Sequence, residues 1–122
     1  MDHFEHERLD VYKITIEFIA VADDIIEDLP RGRGYLSDQL QRAATSILLN
    51  LAEGAGEFAS REKARLYRIA RRSATECAAI FDVCRSRHLG DSTRLGAGRE
   101  LLLRIVAMLT RMILNCAEKS AS

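Results

Sequence analysis

Arg61, Arg65, Arg68 and Arg72 recur at spacings of four, three and four residues, with Arg71 beside the last of them. On an α-helix this spacing draws the four along one narrow line, because residues three and four apart are surface neighbours. Like charges so placed repel by roughly 0.2–0.5 kcal/mol per pair. A purely solvated face would mix signs, so the line asks for something anionic across it. One candidate is internal or intersubunit: an acidic line on the first helix, or Glu53 and Glu57 near the second connection. The other is a phosphate backbone, which arginine grips with paired hydrogen bonds. Residue types leave both open.

Other chemistry is thin. His3 and His6 with Glu5 and Glu7 could hold a loose metal ion, but they sit at a chain end, where fraying is usual. A bundle-type di-iron site needs Glu-x-x-His, whereas the residues three before His88 and His6 are Arg85 and His3. Small helical ribonucleases place an arginine shortly before a histidine; ahead of His88 those positions hold Phe81, Asp82 and Val83. No glycine-rich phosphate loop of the G-x-x-x-x-G-K-[ST] or G-x-G-x-x-G form occurs. His88 itself suits the negative end of a helix. Cys77 and Cys84 are seven residues apart on one face, about 10 Å along a helix axis, too far for a bridge. With Cys116 they read as small core side chains. No catalytic residue, metal ligand or cofactor is assigned, and the expectation is a protein without enzymatic activity.

The elements that carry these residues are helical. A chain of 122 residues makes one domain, 1–122. With 48% apolar and 30% charged residues it has the balance of a folded protein, and a single Pro and 7 Gly argue against sandwiches and barrels. Four periodic segments are predicted, at about 8–28, 36–53, 60–88 and 93–117, separated by the clusters of Gly, Pro and Ser. Ser60 reads as the N-cap of the third and Gly54 as the residue that ends the second. Gly96 and Gly98 each cost about 1 kcal/mol inside a helix, which blurs the start of the fourth. Short connections favour antiparallel neighbours, so the fold class is all-α, an up-and-down antiparallel four-helix bundle.

Helices 2 and 3 need one buried face each. On the second this is Leu36, Leu40, Ala43, Ala44, Ile47 and Leu51; on the third it runs from Leu66 through Ala70, Ser73 and Cys77 to Cys84. Helix 1 has two stripes: Val11, Ile14, Phe18, Val21, Ala22 and Ile25, then Leu9, Tyr12, Ile16, Ile19 and Ile26 half way round. Between them runs an acidic line, Asp10, Glu17, Asp24 and Asp28. Helix 4 is apolar over a wide arc that includes Leu103, Ala107 and Leu114. One subunit cannot bury both faces of two helices, so the expected partner is the chain itself, in a closed homo-oligomer.

Net charge is zero but unevenly placed. Residues 1–30, with Asp2 among nine acidic groups, carry −7, and the remainder carries +7. No apolar run spans a membrane, the acidic start is unlike a signal peptide, and three cysteines without a disulfide pattern fit a reducing compartment. A cytoplasmic location with no membrane partner is expected.

Residues 39–54 read QLQRAATSILLNLAEG. Gln39, Leu40, Arg42, Ala43, Ala44, Ile47, Asn50, Ala52, Glu53 and Gly54 resemble the QLRRAA-x-SI-x-x-NIAEG signature of the four-helix-bundle proteins encoded in 23S ribosomal RNA intervening sequences. Leu9 to Lys13, Leu29-Pro30, Tyr35-Leu36 and Ile69 to Glu76 support the likeness, which covers about residues 8–115. The resemblance implies a ring-shaped homopentamer. It also implies kinship with the accessory protein of diversity-generating retroelements, which binds nucleic acid and a reverse transcriptase through basic residues. Lys63, Arg72 and Gln41 depart from the family pattern, the first two adding positive charge to helix 3. Within helix 2, Ala43, Ala44 and Ala52 permit close helix approach, Asn50 is expected to hydrogen-bond across the bundle, and Glu53 to find a cationic partner on helix 3. Two functions follow as expectations. One is an accessory protein binding RNA or DNA through Arg61, Arg65, Arg68, Arg71 and Arg72; the other is a structural adaptor recruiting a protein partner, with those arginines in salt bridges.

Overall fold

The computed structural model describes residues 3–121, so Asp2 lies outside the described residues. Four helices follow a short 3-10 turn at Glu5–Arg8: α1 Asp10–Asp28, α2 Gly34–Gly56, α3 Ser60–Ser86 and α4 Ser92–Ala121. Neighbours run in opposite directions. The end of α1 meets the start of α4 through Asp28 and Arg94, and the end of α3 meets the start of α2 through Arg87 and Tyr35. Each helix packs on the two beside it, while α1 and α3 stand diagonally across the core without backbone contact. Side chains close that diagonal: the rings of Phe18 and Phe81, both buried, lie 5.8 Å apart and tilted by 39°.

The faces of α2 and α3 are buried as their periodicity predicts, from Leu36 to Leu51 and from Leu66 to Cys84, with Ile69 only half-buried. The buried hydroxyls are satisfied, Thr15 donating one turn back to the Val11 carbonyl at 2.7 Å and Ser73 across to Ser46 Oγ of α2 at 2.8 Å. All three cysteines are free and buried.

Helix ends depart from the sequence reading in several places, α2 starting at Gly34 rather than 36 and α4 running to Ala121 rather than 117 among them. The first helix starts at Asp10 rather than residue 8, because Leu9 leaves helical geometry after the 3-10 turn. Gly54 does not end α2, which continues to Gly56; the reason is a packing requirement described below. Ala59 rather than Ser60 occupies the N-cap of α3, and no side chain caps it. At the other end α3 stops at Ser86. There His88 takes a left-handed φ of 56°, its N–H reaching the Arg85 carbonyl while Leu89 N–H donates to Cys84 at 2.8 Å. This is a Schellman closure with histidine where glycine is usual. The start of α4 is fixed by Asp91, whose Oδ1 accepts from the backbone N–H of Thr93 at 2.8 Å and of Arg94 at 3.1 Å.

The second apolar stripe of α1 is smaller than its sequence suggests. Leu9, Tyr12, Ile19 and Ile26 are half-buried within the subunit, and Ile16 is the member left 46% exposed. Tyr12 is covered by His6, with ring centroids 4.8 Å apart, and Phe4 stacks on His6 in turn. On α4, Leu103 and Leu114 remain 50% and 58% exposed, as does Leu49 on α2 at 56%, and Phe58 in the second connection is fully exposed. No described helix is long and apolar enough to cross a membrane.

Candidate nucleic-acid interface

The helical spacing of the arginines holds. Arg61, Arg65, Arg68 and Arg72 are all exposed along the outer face of the N-terminal half of α3. Arg61 and Arg68 line a shallow groove with Ala64 and with Ala117 and Ser120 of α4. Arg68 continues into a second groove with Arg71, Arg72, Thr75 and Glu76. Arg71 is half-buried and donates from Nη1 to Thr110 Oγ1 of α4 at 3.3 Å, which anchors it to the α3–α4 seam.

Among the described residues only one member of the line has an ion-pair partner. Arg65 pairs with Glu62, one turn back on the same helix, at 2.5 Å, and this holds the Glu62 carboxyl below its usual range. Glu53 and Glu57 act on Arg65 through space only. Among the described residues no carboxylate stands within ion-pair distance of Arg61, Arg68 or Arg72. Within the subunit the acidic line of α1 does not reach them, since α1 is diagonal to α3 and its carboxylates lie toward α4. Asp28 pairs with Arg94 at 2.5 Å, and Asp10 shares a groove with Arg111.

Two expectations for helix 2 need correction. Asn50 does not reach across the bundle; its Nδ2 donates back one turn to the Ser46 carbonyl at 2.8 Å and to Ser46 Oγ at 3.1 Å. The link across to α3 is made by Ser73 instead, which donates to the same Ser46 oxygen. Glu53 has no ion-pair partner on α3. The cation that serves this end of α2 is Lys63, whose Nζ donates to the carbonyls of Gly54 and Ala55 at 2.8 and 3.0 Å. An ammonium group there compensates the negative end of the helix, so this charge is committed inward and adds little to the outer arginine face.

The alternation within residues 39–54 separates the motif into two faces. Leu40, Ala43, Ala44, Ile47, Leu51 and Gly54 are buried, Asn50 and Ala52 half-buried, and Gln39, Arg42 and Glu53 exposed. The sequence profile of the 23S rRNA-intervening sequence proteins matches residues 7–111. The chain belongs to that family. For a 23S rRNA-intervening sequence protein, the buried half of the motif is thus a packing code, and the exposed half lies outside the core of the subunit. No curated protein matches the chain.

Sequence reasoning missed three side chains around these sites. Tyr67 and Lys63 both act on the end of α2, and their only signal was their place one to two turns into the next helix. The third is Arg87, which folds onto Tyr35 from 52 residues away. Among the described residues no group of three or more His, Cys, Asp or Glu side chains could hold a metal ion. His3 instead meets Arg8 Nε, and His6 lies between the Phe4 and Tyr12 rings.

Proposed function

We propose that this protein is a non-catalytic, self-assembling accessory protein that holds RNA or DNA by its phosphate backbone along the arginine face of α3. The observation that carries the reading is the unpaired state of Arg61, Arg68 and Arg72 on an exposed line. Their position adds to it. They occupy the half of α3 nearest its positive end, where cations are disfavoured unless an anion joins them. Successive arginines rise by about 4.5–6 Å along the axis, so several can engage one strand. The one aromatic residue among them, Tyr67, is buried in the core, which favours a sequence-tolerant grip on phosphates over stacking on bases. The exposed Leu49, Phe58, Leu103 and Leu114 supply apolar surface for assembly, and family membership makes a ring of five the form to test first.

The test is binding of structured RNA and duplex DNA at two salt concentrations, with mass followed by light scattering. Affinity is expected to fall with salt at a log–log slope of about −0.7 to −0.9 per phosphate neutralised. Arg68→Glu with Arg72→Glu is the variant of choice because neither residue has a partner to lose in the subunit. It should weaken both nucleic acids and leave the mass unchanged. Absence of wild-type binding at low salt overturns the reading. Loss of assembly in the variant assigns the arginine face to a subunit contact, the arrangement that suits a protein adaptor.

A further inference from the structure

At the opposite end of α3 from the arginine line, two guanidinium groups from distant parts of the chain converge on one phenol. Arg33, at the start of α2, donates from Nη1 to Tyr35 Oη at 3.0 Å, and Arg87, just past α3, donates from its own Nη1 at 2.5 Å. A phenolic oxygen has two acceptor positions, and these two bonds fill both. Among the described residues neither arginine has a carboxylate within ion-pair distance; the nearby Asp28 is engaged by Arg94, and Asp91 caps α4.

What the cluster has left to offer is donors alone. The phenolic hydrogen is unspent, and each guanidinium retains further N–H groups. The first turn of α2 adds its positive end, with no side-chain cap and no acidic residue to offset it. Holding two cations together around a neutral oxygen at such a place is unfavourable unless an anion completes the arrangement. Tyr35, 47% exposed, and Arg87 are open to solvent, and Arg33 is half-buried beside them. The guanidinium neighbours also lower the Tyr35 pKa, through the Arg33 hydrogen bond first, as a donor-rich surrounding should.

We infer that Arg33, Tyr35 and Arg87 form a binding site for a phosphate group, gripped by both guanidinium forks and the phenolic O–H. The site stands apart from the α3 arginine line. Arg87 lies fifteen positions beyond Arg72, about 20 Å along the helix direction, and shares no residue with that face. The same chemistry accepts a free phosphate or the terminal phosphate of a nucleic acid strand.

The experiment is a titration of the full chain, followed by NMR of the Tyr35 ring and the amides at the start of α2. The probes are inorganic phosphate, and a short oligonucleotide with and without a 5′-phosphate. Saturable shifts at Tyr35 with inorganic phosphate assign a free anion; shifts seen only with the phosphorylated oligonucleotide assign a strand terminus. Either supports the site. Arg87→Gln or Arg33→Gln should weaken binding at least about tenfold, since each removes a charge-assisted donor. Arg31→Gln, an exposed charge of the same connection, should change it less than about twofold. The Arg68→Glu, Arg72→Glu variant should bind phosphate here as the wild type does, which separates this site from the nucleic-acid reading. No saturable shift with any probe overturns the inference, as does an equal loss in Arg31→Gln, which would mean general charge attraction.

Discussion

The ring of Tyr67 occupies the place where a side chain on Gly54 would stand. A Cβ added at Gly54 would lie 2.5 Å from Tyr67 Cε1 and 2.8 Å from Cδ1. Tyr67 is only 5% exposed and packed in the core, so the ring has little room to yield. Helix propensity alone would make Gly54→Ala a gain of about 1 kcal/mol. Overpacking works the other way, and a net loss of about 1–3 kcal/mol is expected in urea unfolding. Tyr67→Leu in the same chain should recover part of it. A Gly54→Ala variant as stable as the wild type would contradict this packing.

Two glycines of α4, two positions apart, should respond with opposite signs. A Cβ at Gly98 would stand 2.5 Å from Phe81 Cε2, whereas at Gly96 nothing lies within 4 Å. Gly96→Ala is expected to raise stability by up to about 1 kcal/mol, as for an ordinary helix position. Gly98→Ala should lower it by about 1–3 kcal/mol because it pushes into the Phe18–Phe81 contact. Thermal unfolding of the two variants side by side checks the sign.

His88→Gly should stabilise the chain. The left-handed φ of 56° costs a residue with a Cβ about 1 kcal/mol that glycine does not pay. The hydrogen bonds of the closure are backbone ones and survive the change. A rise of a few degrees in Tm is the expected result, and a fall would show that the imidazole contributes something beyond the turn.

Alkaline pH should weaken the fold from about pH 9 upward. Burial pushes the Cys77 thiol from 9.0 up to about 12 and the Tyr67 phenol from 10.0 up to about 12, and it raises Cys84 as well. Between the unfolded and folded values the unfolded chain has released protons that the folded chain retains, so stability falls as pH rises. Each such group contributes a slope of about 1.4 kcal/mol per pH unit. Urea midpoints at pH 8, 9, 10 and 11 measure the decline. Cys77→Ala should flatten it by one group's share above pH 9, whatever that variant loses in packing at neutral pH.

The inner faces of this bundle were legible because helical periodicity is a one-dimensional signal. Ile47 and Leu51 on α2 or Ala70, Cys77 and Cys84 on α3 fall where spacing alone puts them. The arginine line was legible for the same reason. The ends were not. Gly54 carries two meanings in sequence, stop signal or clearance for a neighbour, and only the approach of Tyr67 decides between them. Lys63 reads in sequence as added positive charge on helix 3, and only the fold puts its ammonium on the α2 carbonyls. Arg87 and Tyr35 gave no sign of each other, because an end-to-end contact between antiparallel helices leaves no local spacing to read.

The four helices are not held equally. α3 packs extensively on both α2 and α4, while α1 packs less closely on its two neighbours and meets α3 through side chains, Phe18 against Phe81 among them. In terms of partial unfolding, α1 is the piece that can swing away while the rest of the core stays closed. Native-state hydrogen exchange should then find the α1 amides opening at a lower free energy than those of α3. The negative flank of the subunit travels with α1 in that excursion, leaving behind a three-helix remainder that is, transiently, strongly cationic.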